Sequence, residues 1–223
     1  MFSAATKAAA GSLSDPMILV FDTSLTSGNQ ITIYLDDGFD VRIDWGDGTG
    51  VEKYSGTSSL PVSHDYLIGG IYTVRITGSV TRFRVTAQSA LTRCLSFGNL
   101  SLKSLSFAFV SCNNLVEVPD QLPRFVTDLT FAFALANSFN QDISGWDVGN
   151  VVTMRWMFND AESFNQNIGS WNVSSVNNIG WMFTGAKSFN QDIKGWDVSS
   201  ATAMDWMFHN APAFNQDLTG WCV

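Results

Sequence analysis

The chain of 223 residues carries a formal net charge of −8; 45% of its residues are hydrophobic and only 14% are charged. Such a hydrophobic fraction is typical of a folded globular protein and excludes a disordered one. The twelve Lys and Arg residues are scattered, which argues against binding to nucleic acid or to an anionic membrane surface, and no apolar run approaches the ~20 residues of a membrane-spanning helix.

Residues 1–16 form a predicted N-terminal arm of small and polar residues that ends in Ser14-Asp15-Pro16. A segment of this composition is flexible on its own, and a second interpretation is a peg that docks into a larger assembly. The arm lacks the apolar core of a secretion signal. We therefore expect export by another route, display as part of a larger assembly, or a signal that has been removed.

Residues 17–88 have the pattern of short β-strands separated by turns. Apolar or β-branched residues form five runs, and Gly, Asn and Asp mark the turns between them. The runs are residues 17–21, 31–35, 41–45, 72–77 and 81–85. Several short strands at this spacing predict an antiparallel β-sandwich.

The sharpest motif in this region is Asp-Trp-Gly-Asp-Gly at residues 44–48, followed by His-Asp-Tyr at 64–66 and Tyr-Thr-Val at 72–74. Trp45 is expected to fill the space between two sheets, and Asp47 to bond the backbone of a tight Gly-containing hairpin. These three pieces, in this order, resemble the PKD-type domain, an immunoglobulin-like sandwich. The resemblance implies a spacer or adhesion module of extracellular proteins.

Neither the carboxylates nor the cysteines of the chain have the spacing of a metal site. Carboxylates near a Gly turn can bind calcium, but Asp44, Asp47 and Asp65 lack the regular spacing of a calcium loop, so we expect them to bond turns. The cysteines are Cys94, Cys112 and Cys222. Their odd number and wide spacing predict no disulfide framework, and we expect the first two to be buried free thiols.

A 25-residue unit is repeated four times between residues 132 and 223, and looser versions precede it from residue 91. In the looser part, residues 102–109 align with residues 126–133. Three aromatic positions recur in each of the four units: Phe133, Phe158, Phe183 and Phe208; Phe139, Phe164, Phe189 and Phe214; Trp146, Trp171, Trp196 and Trp221. A fixed period of this length predicts a solenoid, in which each unit buries its apolar face by stacking on its neighbours.

The units resemble the repeats of a known family of surface proteins. Residues 108–119 follow Ala-Phe-x-x-Cys-x-x-Leu-x-x-Val-Pro, which resembles the leucine-rich repeats of BspA-like surface proteins. Later units follow Met-Phe-x-x-Ala-x-x-Phe-Asn-Gln-Asp-Ile-x-x-Trp-Asp-Val and resemble the variant repeat of those proteins and of mycoplasma surface proteins. A PKD-like sandwich ahead of such repeats is a layout of that family. The resemblance implies a mainly β chain with a PKD-like domain at 17–88 and a leucine-rich-repeat-like solenoid at 89–223.

Three polar or amphipathic columns are predicted to support the solenoid. The first is an amide ladder that satisfies backbone groups where the chain bends: Asn140, Asn165, Asn190 and Asn215. The second is the Trp column named above, which closes the core or, if the indole faces are exposed, forms a stacking platform for sugars. The third caps turns, with a calcium ladder as the alternative: Asp142, Asn167, Asp192 and Asp217.

The positions that differ between units are the candidate binding face. Core positions repeat while these vary, so we expect their side chains to face solvent. They are Arg155, Asn159, Glu162, Lys187, Lys194, Asp205 and His209. Two interpretations stay open: an unconstrained surface, or a binding face whose side chains set specificity.

The sequence ends directly after Trp221-Cys222-Val223 without a polar capping unit. An open solenoid end exposes apolar surface and unpaired strand edges. We therefore expect a neighbouring copy or a partner protein to cover this end, which predicts a homo-oligomer or membership of a larger assembly.

These observations favour a non-catalytic recognition or adhesion protein on an extracellular-facing surface, which binds a protein or glycan of a cell surface. Two settings stay open: a virion appendage or capsid decoration, slightly favoured by the missing secretion signal, and a bacterial cell-surface adhesin. A purely architectural capsid cement is a further alternative. A glycan-active enzyme is disfavoured, because the sequence has no cofactor motif, phosphate-binding loop or nucleophile elbow, and His64 and His209 have no partner visible by spacing.

Overall fold

The computed structural model describes residues 15–221. The predicted N-terminal arm therefore lies, apart from its last two residues, outside the described residues, as does Cys222. The described chain is mainly β, and its only helical element is a three-residue 3-10 turn at Thr23–Leu25. Within this part of the chain no helix is long and apolar enough to cross a membrane.

Six strands form one open antiparallel sheet. They are β1 (Met17–Asp22), β2 (Gln30–Asp44), β3 (Val51–Gly56), β4 (Leu60–Asp65), β5 (Ile71–Arg84) and β6 (Leu91–Phe97). Their order is β3-β2-β5-β1-β6, and β4 pairs with the first half of β2. The sheet is continuous, so the prediction of two separate packed sheets is not confirmed.

The sheet is continuous because β2 and β5 are long strands with an irregularity near the middle. The sequence pattern predicts two short strands in place of each. In β2 the register against β5 shifts between Asp36 and Phe39, where Asp37 and Gly38 have left-handed backbone. The halves of β2 on either side of this shift pair with different partners, β4 before it and β3 after it. Turn-like residues thus bend a strand here instead of ending it.

The Trp-containing motif lies in the interior of this sheet region. Trp45 is fully buried, and its carbonyl accepts a hydrogen bond from the Tyr66 hydroxyl at 2.9 Å. Gly46 follows with φ of +81°, and a Cβ there would collide with the backbone of Thr73. Asp47 accepts from the Thr49 backbone amide at 3.0 Å, which is the turn-bonding role expected of it.

Residues 102–221, the repeat region, have no strand; they are joined by isolated parallel bridges. The bridges connect Ser104 to Asp128, Asp128 to Thr153, Thr153 to Asn178, and Asn178 to Ala203. Backbone amides of each unit donate to carbonyls of the next, as from Phe131 to Arg155 at 3.0 Å and from Trp156 to Gly180 at 3.1 Å. Consecutive units of 24 or 25 residues therefore stack in parallel.

Two columns of phenylalanine rings fill the interior of the stack. Phe133, Phe158 and Phe183 are fully buried, and the centroids of neighbouring rings are 5.7 Å apart. A second buried column consists of Phe139, Phe164 and Phe189. Phe83 of β5 packs edge-on against Phe109 of the first unit at 5.7 Å, so the sheet and the repeat region share one hydrophobic core.

The two described cysteines are buried free thiols, as predicted. Burial raises the pKa of the Cys112 thiol to about 12 and raises the pKa of the Cys94 thiol as well. Both thiols are therefore protonated at neutral pH and unsuited to nucleophilic chemistry.

Candidate recognition surface

The asparagine column joins units through specific hydrogen bonds. The Asn140 Oδ1 accepts from the backbone amide of Asn165 at 2.9 Å, and the Asn165 Oδ1 accepts from that of Asn190 at the same distance. In the next unit, Gln166 Nε2 donates to both oxygens of Asn140. Asn140 and Asn215 are exposed and the other two are half-buried. These amides cross-link the backbone and are committed to structure.

The inner tryptophan column closes the core. Trp146, Trp171 and Trp196 are only 3–4% exposed. Each indole N–H donates to a carbonyl of the preceding unit, for example from Trp171 to Ile143 at 3.2 Å. Their ring faces are inaccessible, so the interpretation of this column as a sugar-stacking platform is corrected.

The third column caps turns. Asp142, Asn167, Asp192 and Asp217 each accept from the backbone amide two residues further on. The pKa of Asp217 lies below its usual range, because its carboxylate accepts from Thr219 and also from the Lys194 ammonium. Among residues 15–221, no group of three or more His, Cys, Asp or Glu side chains could hold a metal ion.

The predicted binding-face residues lie in three different environments. Asn159 is buried, with its Nδ2 donating to the Thr184 carbonyl at 3.1 Å, so the expectation that it faces solvent is corrected. Glu162 pairs with Lys187 at 2.7 Å, and Lys194 with Asp217 at 2.9 Å, at exposed positions where ion pairs contribute little stability. The remaining three residues, Arg155, Asp205 and His209, border a feature that the sequence analysis missed.

That feature is a second aromatic column on the outside of the stack, here called the outer aromatic ladder. It consists of Phe107, Phe131, Trp156, Trp181 and Trp206. From Phe107 to Trp181, neighbouring ring centroids are 4.7, 5.2 and 5.0 Å apart, with planes within 18° of parallel. Phe107 and Trp206 are exposed, and the other three rings are half-buried. The ladder is therefore a continuous aromatic strip at the surface.

All five ladder residues have left-handed backbone, with φ between 55° and 61°. For a bulky L-residue this conformation costs about 1–2 kcal/mol. Four residues further along each unit is a second left-handed position, which holds mostly small or polar residues: Ser111, Leu135, Asp160, Gly185 and Asn210. Aromatic side chains thus occupy the first position in every unit despite its steric cost. The left-handed turn directs them outwards, away from the adjacent buried Met and Phe side chains.

The ladder presents ring edges and leaves one polar group unsatisfied. Stacking covers the faces of the interior rings, so their edges, which carry partial positive charge, are what a partner meets. The Trp156 indole nitrogen is buried without a hydrogen-bond partner, whereas every described indole of the inner column donates to a carbonyl. An orphaned donor of this kind costs free energy unless another group satisfies it.

Charged and polar side chains flank the ladder on the side of the bridges. The Arg155 guanidinium lies 4.9 Å from the Trp181 ring centroid and 5.7 Å from that of Trp156. Asp205 is exposed one residue before Trp206, and the His209 ring contacts the Trp206 ring edge-on at 4.6 Å. Neither Arg155 nor Asp205 takes part in any of the ion pairs of the described chain.

Comparison with known proteins identifies one family. No curated protein and no solved structure matches the chain. A family model described as "Mycoplasma protein of unknown function, DUF285" matches residues 103–221, more than half of the chain and all five positions of the outer aromatic ladder. The chain therefore belongs to the DUF285 family of Mycoplasma proteins.

Proposed function

We propose that the chain is a non-catalytic recognition or adhesion protein, displayed on a surface and binding another protein. In this proposal residues 89–223 form a leucine-rich-repeat-like solenoid that carries the binding surface, and residues 17–88 form the PKD-like module that mounts it. The single observation that supports this most strongly is the outer aromatic ladder, an exposed strip of stacked aromatic rings bordered by Arg155 and Asp205.

The composition of the ladder favours a protein over a glycan as the partner. Sugars stack on exposed aromatic faces, but the interior rings of this ladder cover one another's faces. Tryptophan, phenylalanine and arginine are instead enriched in protein–protein interfaces, where a few such residues contribute most of the binding free energy. The ladder unites these residue types in one strip.

The surroundings of the histidines support a non-catalytic role. His64 Nε2 bonds the Asp47 carboxylate at 2.7 Å, and its ring stacks on Trp45 at 4.9 Å and meets Tyr66 edge-on. His209 packs against Trp206. Each imidazole is thus accounted for by packing, and neither adjoins a hydroxyl or thiol in the arrangement of a nucleophile and its base.

A bacterial cell surface is the setting that we favour for display. The family description refers to Mycoplasma proteins, which supports a bacterial setting over a virion. No feature of the described residues specifically favours the virion appendage or the architectural cement.

Two measurements test the proposal. First, immunogold labelling of intact producing cells is expected to mark their outer surface; labelling only after permeabilisation would refute surface display. Second, excess soluble chain is expected to compete with attachment of those cells to their target surface. The Trp181→Ser chain should compete at least about tenfold more weakly, a loss of about 1.4 kcal/mol.

The matched control for Trp181→Ser is Phe125→Ser. Phe125 is a 55% exposed aromatic residue outside the ladder, so its removal changes surface apolarity without touching the ladder. Circular dichroism of both variants verifies folding. Equal competition by the two variants would contradict the assignment of the ladder as the recognition surface.

A further inference from the structure

The outer aromatic ladder carries a self-complementary arrangement of charge. Arg155, Gly180 and Asp205 occupy the same position in three consecutive units, 25 residues apart in each step. The basic residue is one unit before the glycine and the acidic residue is one unit after it. Each immediately precedes a ladder tryptophan.

Backbone hydrogen bonds fix these three positions in line. Trp156 donates to the Gly180 carbonyl at 3.1 Å, and Trp181 donates to the Asp205 carbonyl at 2.9 Å. The three residues therefore lie along the stacking direction with Gly180 at the midpoint. Because units stack at a regular step, Arg155 and Asp205 are nearly equidistant from Gly180.

The glycine leaves a gap at the centre of this row. A Cβ at Gly180 would come within 3.0 Å of Asp205 Oδ1 and 3.3 Å of Asn178 Oδ1, so a larger residue would displace the carboxylate. The Arg155 side chain lies over Trp181 on the other side. The opposite charges thus flank a low point at which another molecule can approach the backbone closely.

A two-fold axis through Gly180, perpendicular to the stacking direction, makes this surface complementary to itself. It sets Arg155 of one copy opposite Asp205 of the other, and the reverse pair forms at the same time. Trp181 meets its own equivalent, and Trp156 meets Trp206. Such an interface is isologous, the commonest arrangement in homo-oligomers, and it places aromatic residues at the centre with two ion pairs around them.

We propose that the partner of the outer aromatic ladder is a second copy of this chain, bound as a two-fold dimer centred on Gly180. The proposal rests on the recognition role given to the ladder above and names the partner of that surface. The dimer uses the free charges of Arg155 and Asp205 and covers the exposed aromatic strip. Charge complementarity along the row selects a second copy in antiparallel orientation.

The test is a charge-reversal series measured by sedimentation velocity over a range of protein concentrations. The wild-type chain is expected to sediment with twice the mass of one chain at high concentration. Arg155→Asp and Asp205→Arg each set like charges opposite one another twice per dimer, so each should raise the dimer dissociation constant at least about tenfold. The double variant Arg155→Asp/Asp205→Arg restores both pairs and should return the constant to within about threefold of wild type.

The matched control is Lys187→Glu, which changes the net charge by the same amount as Arg155→Asp. Lys187 pairs with Glu162 within the chain, so this variant should dimerise like wild type. Unchanged far-UV circular dichroism verifies that all variants are folded. Because the substituted side chains are at or near the surface, loss of dimer in a folded variant reports the interface.

Two results would overturn the proposal. One is a wild-type chain with the mass of a single copy at every concentration; the other is a double variant no better associated than the single variants. A monomeric chain that is nevertheless surface-displayed and competes with attachment would overturn the dimer and leave the proposed function intact. A dimer found inside producing cells would sustain the dimer and refute surface display.

Discussion

At the scale of single residues, hydrogen bonds rather than burial determine what the polar side chains do. Asp47 is the clearest case: its carboxylate accepts from the Thr49 hydroxyl at 2.6 Å and bonds His64 Nε2 at 2.7 Å. These bonds, chiefly those from Thr49, lower the pKa of Asp47 to about 2. The folded chain thus favours the ionised form of this side chain more than the unfolded chain does.

This predicts an acid-dependent contribution to stability. Because the folded pKa of Asp47 is below its ordinary value of 3.8, the contribution is fully present above about pH 4 and is lost as the pH falls towards 2. In Asp47→Asn the free energy of unfolding should fall less steeply over this range than in wild type. Urea unfolding at a series of pH values measures both slopes, with Asp40→Asn as the control for an exposed carboxylate. Equal slopes for Asp47→Asn and wild type would contradict the prediction.

Single residues also explain where sequence reasoning reached its limit. Phe133, Phe158 and Phe183 were predictable as core because a fixed period places equal positions in one column. Trp156 was not recognised as an outer residue, because it precedes Met157 and Phe158 and the three look like one apolar run. Only the left-handed backbone at Trp156 separates it from that run, and an apolar–polar pattern carries no information on φ. A signal was present nevertheless: an aromatic residue stands two positions before the inner Phe in every unit.

At the scale of elements, the two tryptophan columns have different tasks although both repeat every 25 residues. Trp171 is 4% exposed and bonds the Ile143 carbonyl, whereas Trp181 is half-buried and borders Arg155. The inner column stabilises the stack, and the outer column is available for association. Variation between units is therefore a poor guide to exposure here: Asn159 varies yet is buried, and Trp181 hardly varies yet reaches the surface.

The columns should separate in a stability measurement. Trp171→Ala removes a buried ring and leaves the Ile143 carbonyl without its donor, and should cost about 3–5 kcal/mol of unfolding free energy. Trp181→Ala should cost at least about 1 kcal/mol less, since its ring is already partly exposed to water. Chemical unfolding of both variants provides the comparison. An equal or larger loss for Trp181→Ala would show that the outer ladder is itself part of the core.

At the scale of the whole molecule, the sheet runs directly into the stack. β6 lies beyond the predicted boundary at residue 88 yet pairs with β1 in the sheet. The Val85 amide donates to the Ala108 carbonyl at 2.7 Å, and Arg82 forms a parallel bridge with Ser104. The repeat region thus stacks on the end of β5. A sequence pattern finds units and strands separately, but this junction depends on long-range pairing that no local pattern encodes.

A shared core predicts one cooperative unfolding transition. Seven of the eight tryptophans lie in the repeat region, so fluorescence reports mainly on the stack, while far-UV circular dichroism is dominated by the sheet. Because the Phe83–Phe109 contact links the two regions, both signals should change at the same urea concentration. Phe109→Ala is expected to weaken this coupling. Two well-separated midpoints in the wild-type chain would contradict the prediction.

The parallel bridges between units have a consequence for how such a chain can evolve. Every contact from one unit to the next recurs at a nearly constant offset, so an in-frame duplication of one unit in the gene would add a complete rung without disturbing the sheet or the rungs on either side. Deletion of a unit would be tolerated for the same reason. The length of the exposed aromatic strip, and with it the reach of the molecule, is therefore a heritable quantity that recombination between neighbouring repeats can adjust in whole steps.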